Sequence, residues 1–401
     1  MNQTAILAAL AGALLAATSA AAGQAPATPA SASPATPAAG TEFLIGGDVT
    51  LLARIEELGG VYRDAGRPRD ALDIFRSRGW NCLRLRLWNS PSGKNEYVSN
   101  LEYTTTLARR IKAAGFQLLL DFHYSDTWAD PGNQAKPAAW KDLTFDPLQQ
   151  AVYEYSRQVI TSMKAAGACP DIVQVGNEIT PGMLWPDGKI GAGPRAFANL
   201  AALVKAGIRG VRDGAGADRR IQIMIHADCG GDRQRTQWFF DGLAGQGVEF
   251  DLIGLSFYPV WHGTPEDLRR NIEESAARYR KPVVTVEVSY PWRGGDRKGN
   301  QWAGSGNKVL DKYPLTPEGQ RQYLADLLVL LRKTPGSRGC IYWAPEWIPV
   351  KGMASSWGDL TLFDHQGNAL PGLDAFRGTP AAAPAAGAKP GTAAGPAEAK
   401  P

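Results

Sequence analysis

The sequence is poor in cysteine, with only Cys82, Cys169, Cys229 and Cys340 among 401 residues. None falls in Cys-x-x-Cys spacing, which argues against a thiolate metal site. In an oxidising compartment the four could form two bridges with three possible connectivities, but they are scattered near strand ends and read as buried free thiols. Histidine is equally scarce, at four residues, and lacks the His-x-His or His-x-x-x-His spacing that a catalytic metal prefers. No dense Lys/Arg tract accompanies the formal charge of +4, so nucleic-acid binding is not indicated. A Gly-rich phosphate loop after an early strand is also missing, because Gly46 and Gly47 do not make one, and this argues against an open dinucleotide-binding sheet.

The apolar run at residues 6–17 is about a dozen long, too short to span a bilayer comfortably. Small residues follow at 18–23, so residues 1–22 read as a secretory signal and the protein as exported, periplasmic or extracellular. Residues 1–5 contain no Lys or Arg, and the charged start of such a signal rests on the α-amine alone. Residues 23–41 and 379–401 are Ala/Pro-rich tracts that cannot bury enough apolar surface to offset their ordering entropy, and both are expected to be disordered. That leaves one folded unit, residues 42–378, with no second linker inside it.

Within that unit eight short β-rich runs stand at 43–49, 81–88, 116–122, 171–176, 221–227, 251–257, 283–288 and 340–343. Amphipathic helical stretches alternate with them, for example at 101–114, 148–166, 196–211, 265–279 and 317–332. Eight strands, each but the last followed by a helical segment, predict an α/β fold, a single (β/α)8 TIM barrel with its chemistry at the C-terminal strand ends.

Polar residues gather at those ends. Strand two carries Arg84 and Arg86, two apart and so on one face. Strand three runs into Asp121, His123, Asp126 and Trp128; Asp126 and Asp130 are equally good turn formers beside Pro131 and Gly132. Strand four ends in Asn177 and Glu178, strand five in His226 and Asp228, and strand six in Tyr258, Trp261 and His262. Strand seven carries Glu287, and strand eight leads to Trp343 and Trp347. Two carboxyl groups across a barrel mouth suit glycosidic cleavage, where one protonates the leaving oxygen and the other attacks. Glu178 is expected to need a raised pKa and Glu287 a low one, with Arg84 or Arg86 keeping Glu287 charged and Tyr258 orienting it. Asn177 can hydrogen-bond a sugar 2-hydroxyl. Twelve tryptophans offer aromatic faces on which sugar C–H groups stack, although some must simply pack the core.

The motifs GGDVTLL (46–52), RLRLWNSP (84–91), DFHYSDTWADPGNQAKPAAW (121–140), VQVGNEITPGMLWPDG (173–188), GLSFYPVWHG (254–263), EVSYPW (287–292) and YWAPEWIPV (342–350) span nearly all of the folded unit. Together they make the chain resemble the endo-β-1,4-galactanases of glycoside hydrolase family 53, in the clan of retaining barrel glycosidases. The resemblance implies Glu178 as acid/base, Glu287 as nucleophile, and the β-1,4-galactan of pectic side chains as substrate. It implies substrate-binding roles for the strand-end residues above, no cofactor, and a monomer free of the membrane once the signal is removed. Some bacterial relatives hold a structural calcium near the last two loops, where Asp296 and Asn300 offer oxygen ligands here, without EF-hand-like spacing.

Two departures stand out. The family's usual Trp-Glu-Pro-Ala-Trp after strand eight is here Trp343-Ala344-Pro345-Glu346-Trp347, and strand five continues as HADCGGD. Rival readings are another retaining barrel glycosidase, such as a β-mannanase or β-glucanase, and a non-catalytic carbohydrate-binding barrel. The last predicts loss of a carboxylate, and both are present.

Overall fold

The computed structural model of the chain describes residues 42–193, 195–294 and 308–377. The segments read as signal, linker and tail fall on residues that lie outside it, as do Asp296 and Asn300. Eight parallel strands close into a barrel: β1 (Leu44–Asp48), β2 (Cys82–Leu87), β3 (Gln117–Phe122), β4 (Ile172–Val175), β5 (Gln222–Ala227), β6 (Leu252–Phe257), β7 (Val283–Val288) and β8 (Ser337–Trp343). Neighbours in sequence are neighbours in the sheet, and β1 pairs with both β2 and β8 to complete the circle. The last strand starts three residues before the run at 340–343, so Cys340 lies mid-strand rather than at a strand start. Ser337 to Gly339 lack the bulky apolar side chains that mark a buried strand in sequence.

The outer layer comprises α1 (Leu52–Glu57), α2 (Ala71–Ser77), α3 (Leu101–Ala113), α4 (Phe145–Ala165), α5 (Ala198–Ala215), α6 (Arg233–Gly245), α7 (Pro259–His262), α8 (Pro265–Tyr279), α9 (Lys308–Lys312) and α10 (Pro317–Lys333). Gly210 and Gly214 let α5 approach α4 closely, since a Cβ on either would stand 2.3 Å from Tyr153 O or 2.6 Å from Arg157 O. Among the described residues no helix is long and apolar enough to cross a membrane.

The period-2 alternation of strands sorts the barrel interior into layers. The lower layer is apolar: Leu44, Cys82, Leu119, Ile172, Met224, Leu252, Val284, Val286 and Ile341 form a separate buried cluster, at least one from each strand. Each large aliphatic side chain there contributes about 1.5–3 kcal/mol on burial. Two residues further along the same faces stand Arg84, Asp121, Gln174 and His226, and two beyond those stand Asp48, Arg86, His123, Asp228 and Ser256. The dry lower layer therefore holds up a polar upper layer, and the site sits on that floor.

Candidate active site

Each glutamate reaches the barrel mouth through a local irregularity. In β7 the pairing skips Val286, so that Leu255 faces Thr285 but Ser256 faces Glu287. This extra residue turns Glu287 to the inner face that Val284 and Val286 already occupy, which strict alternation would forbid. Glu178 follows Gly176 at the end of β4 and itself takes a left-handed backbone, with φ +47°. For a non-glycine residue this costs roughly 1–3 kcal/mol and is characteristic of functional positions. The structure returns the cost in part through Glu178 N, which donates to His226 Nδ1 at 3.3 Å.

Arg84 is fully buried beneath the mouth and ties the floor together. Its Nη1 lies 3.1 Å from Asp48 Oδ2 and 2.9 Å from Glu287 Oε1. Its Nη2 donates to Asp121 Oδ2 and to Asn177 Oδ1, each at 2.8 Å. Burial works against this guanidinium, but Asp121, Glu287 and Asp48 outweigh it and raise its pKa. Burial likewise opposes the charge of Asp121, yet Arg84 and His123 hold that carboxyl below its usual range. His123 accepts from Ala129 N at Nδ1, which assigns its proton to Nε2, 3.0 Å from Asp121 Oδ2.

The two glutamates occupy unlike environments. Burial, followed by the charge of Glu287, pushes the Glu178 carboxyl well above the ordinary carboxylate range. Burial raises Glu287 too, but Arg84 and the Tyr258 hydroxyl pull it back. The low pKa expected at Glu287 is therefore not what the site provides; it provides a difference between two raised carboxyls. Tyr258 Oη donates to Glu287 Oε2 at 2.8 Å, and burial keeps that phenol protonated. His226 is held neutral, first by burial and then by Arg84. Its Nδ1 accepts from Gln174 Nε2 at 2.9 Å, so Nε2 carries the proton and donates to Ser256 Oγ at 2.9 Å. Ser256 in turn donates to Glu178 Oε1 at 2.6 Å.

A cleft of about 950 Å³ opens over this floor. Of the expected site residues, Glu178, Glu287, Arg86, His123, Trp128, Asn177, Asp228, Tyr258, Trp261, His262 and Trp343 line it. Arg84, Asp121 and His226 lie beneath as supports, and Trp347 is buried behind Trp128, their rings 6.2 Å apart. Asp126 does not line the cleft: its carboxylate accepts from Ser90 N and Ala138 N, both at 2.8 Å, and joins two loops. Asp130 forms a turn of its own, accepting from Gly132 N at 2.7 Å. Burial lowers His262 to about 4, leaving it neutral, and its Nδ1 accepts from Tyr258 N. Arg86 lies 4.6 Å from the Trp128 ring and 5.2 Å from that of Trp343.

Sequence reasoning missed Ser256, Gln174, Asp48 and Trp357. Ser256 was within reach, being two residues before Tyr258 and so on its face of the strand. Trp357, 4.5 Å from Trp343 and on the cleft wall, stands in an irregular segment with no period to place it. Glu346 accepts from Leu51 N at 3.0 Å deep behind the tryptophans, outside the cleft, and burial raises it to about 8. The four cysteines are free thiols: Cys82, Cys229 and Cys340 are buried and Cys169 is half-buried. Among the described residues no His, Cys, Asp or Glu cluster is arranged to hold a metal.

Two carboxyl groups in unlike environments, set across a tryptophan-edged cleft, suit the acid and nucleophile demands of glycosidic cleavage. That is glycoside hydrolase chemistry, and comparison with known proteins agrees. The chain belongs to Glycosyl hydrolase family 53, whose family model matches residues 44–376. It is 44% identical over 348 residues to a Niallia circulans protein called "Uncharacterized protein in bgaB 5'region", covering 84% of this chain and 93% of that one. It is 34% identical over 352 residues to the arabinogalactan endo-beta-1,4-galactanase of Cellvibrio japonicus, covering 84% and 91% of the two chains. The solved GH53 catalytic domain of Ignisphaera aggregans superposes with a TM-score of 0.78 at 37% identity, covering 85% of this chain and 97% of that one.

Proposed function

We infer that the protein is a retaining endo-β-1,4-galactanase that hydrolyses galactan or type I arabinogalactan, the side chains of pectin, by double displacement. The observation that carries the mechanism is the division of labour at the end of β6, where Ser256 holds Glu178 and Tyr258 holds Glu287. The substrate follows from the family and from the activity of the Cellvibrio japonicus relative.

In the first step an ionised Glu287 oxygen bonds to the anomeric carbon as the glycosidic carbon–oxygen bond breaks. The proton on Glu178 passes to the departing oxygen, and Arg84 balances the charge that Glu287 carries beforehand. Asn177, its Oδ1 engaged by Arg84 and its Nδ2 donating to Ala129 O at 2.8 Å, retains one N–H for the sugar 2-hydroxyl. In the second step Glu178, now ionised, takes a proton from water as the water oxygen bonds to the anomeric carbon and Glu287 departs. Trp128, Trp343 and Trp261 supply stacking faces. The catalytic roles of Glu178 and Glu287, export through residues 1–22, and a monomeric state free of the membrane belong to the same reading.

Parallel incubation with linear galactan, mannan and cellulose tests it. Reducing ends should appear with galactan and not with the other two; release from mannan or cellulose alone would overturn the assignment.

A further inference from the structure

Trp238 and Trp261 are the exposed tryptophans among the described residues. Trp261 stands in the cleft, whereas Trp238 lies outside it on the outer helical layer, 48% exposed. A single exposed apolar side chain is ordinary on a protein surface. Trp238 differs because its ring is held. It meets the Phe197 ring edge to face, with centroids 5.1 Å apart and planes at 62°. Phe197, just before α5, packs in turn on Phe239 at 6.4 Å, and Phe239 is fully buried. Gly242 makes room for this support, since a Cβ there would stand 2.4 Å from the Phe197 ring. A glycine inside a helix costs roughly 0.5–1 kcal/mol relative to alanine, so α6 gives up stability at the point where Phe197 seats.

The course of α6 links this ring to the cleft. Asp232, Arg233, Gln234 and Arg235, at the start of the helix, line the cleft rim. Trp238 follows Gln234 by four residues, which puts both on one face of α6, about 6 Å apart along its axis. Gln234 is exposed, and its amide both donates and accepts, as a sugar hydroxyl requires. The charges that flank the pair are already matched: Arg233 with Glu274, Arg235 with Asp228, and Asp241 with Arg278. An uncharged, hydroxyl-rich ligand suits such a face, because sugar C–H groups stack on an aromatic ring and no free charge is left to select an ion.

We propose that Trp238, with Gln234 beside it, is a second galactan-binding platform on the outer face of α6, separate from the cleft. Trp238 takes the C–H face of a hexose in a long chain, and Gln234 bonds a hydroxyl of that chain. A polymer held at Trp238 while another stretch lies in the cleft is bound at two points. The second contact is then intramolecular and raises the effective concentration of polymer at the glutamates. An oligosaccharide held wholly in the cleft gains nothing from it. The occupant rests on the galactanase reading; the platform itself is a site which that reading does not require.

The test separates polymer from oligomer. Trp238→Ala should raise KM for polymeric galactan about fivefold, while kcat/KM on β-1,4-galactotetraose stays within about twofold of wild type. In a native gel containing galactan, Glu287→Ala should be retarded without cleaving the polymer, and Glu287→Ala/Trp238→Ala should be retarded less. Trp238→Tyr in the same background keeps an aromatic face and should restore the retardation. Equal retardation with and without Trp238, or parallel losses on polymer and tetraose, would overturn the platform. So would Trp238-dependent retardation that is stronger in polygalacturonate, an acidic chain. A wild-type dimer in sedimentation that Trp238→Ala dissociates would give the ring to a second copy and overturn it as well. Wild-type protein inert toward both galactan and the tetraose would overturn the galactanase reading, whereas galactan cleavage indifferent to Trp238 would overturn the platform alone.

Discussion

Ser256 and Tyr258 lie two residues apart at the end of β6, and each donates a hydrogen bond to a different glutamate, at 2.6 Å to Glu178 and 2.8 Å to Glu287. Successive even positions of a strand share a face, so one strand end sets the spacing and the orientation of both carboxyls. Ser256 touches no reacting atom and acts through Glu178 as a positioning residue. Its donated bond favours the ionised form of Glu178, opposing the burial that raises the pKa. Ser256→Ala should lower kcat by about tenfold and move the alkaline limb of the kcat/KM profile upward. A drop in rate with an unmoved limb would show that Ser256 serves the fold alone.

The pH profile of the wild-type protein follows from the same pair. On the proposed mechanism turnover needs Glu287 ionised and Glu178 protonated, so activity should rise as Glu287 loses its proton and fall as Glu178 loses its own. Both carboxyls lie above the usual range and Glu178 lies further above, which puts the window on the alkaline side of two ordinary glutamates. Arg84→Ala removes the cation that pulls Glu287 down, and should shift the acid limb upward. It also strands Asp48 and Asp121 in the barrel, which costs on the order of 3–5 kcal/mol of stability. An acid limb unchanged in the variant would mean that Arg84 does not govern the charge of Glu287.

Glu346 gives a stability prediction independent of catalysis. Its folded pKa of about 8 lies above the ordinary 4.5, so the folded chain holds a proton that the unfolded chain releases. Stability from this group is complete below about pH 4.5 and is lost as pH rises toward 8. Glu346→Gln keeps an acceptor for Leu51 N and removes the titration. Unfolding free energies of the two proteins from urea titrations should coincide near pH 4 and diverge by a few kcal/mol at about pH 9 in favour of the variant. Parallel pH dependence in the two would contradict the burial of that carboxyl.

Arg86 is flanked by Trp128 and Trp343 at the cleft wall, and its Nη1 and Nη2 have no hydrogen-bond partners. Trp128→Ala should therefore weaken galactan binding more than turnover, raising KM several-fold, since a cation–π contact of this kind contributes about 0.5–2 kcal/mol. A fall in kcat at constant KM would move Trp128 from substrate binding to the chemical step.

The sequence showed the barrel because strand and helix periods differ and alternate eight times; seven of the eight strands fall within one residue of their runs at each end. It showed Arg84 and Arg86 on one face because alternation is local. What it could not show depends on contacts between distant segments. The skipped Val286 that turns Glu287 inward leaves no mark in VVTVEVSYPW, because a bulge is defined only by its partner strand. Asp126 looked like its neighbours in a polar run, and only its two backbone donors, 36 and 12 residues away in sequence, identify it as a loop tie. The pKa of Glu287 was expected to be low from its cation alone, whereas burial, which one sequence does not reveal, acts in the opposite direction.

The central claim is double displacement by Glu287 with Glu178 as acid and base, and the anomeric configuration of the first product tests it most directly. In retaining glycosidases the two carboxyl groups stand about 5–5.5 Å apart, too close for water between sugar and base, so on this account Glu287 bonds to carbon and water later enters from the original side. Proton NMR during hydrolysis of a β-1,4-galactan oligomer should show the β-anomer first, with the α-anomer growing only by mutarotation, and Glu287→Ala should show neither. The α-anomer appearing first would mean inversion, and the assignment of Glu287 as nucleophile would have to be abandoned.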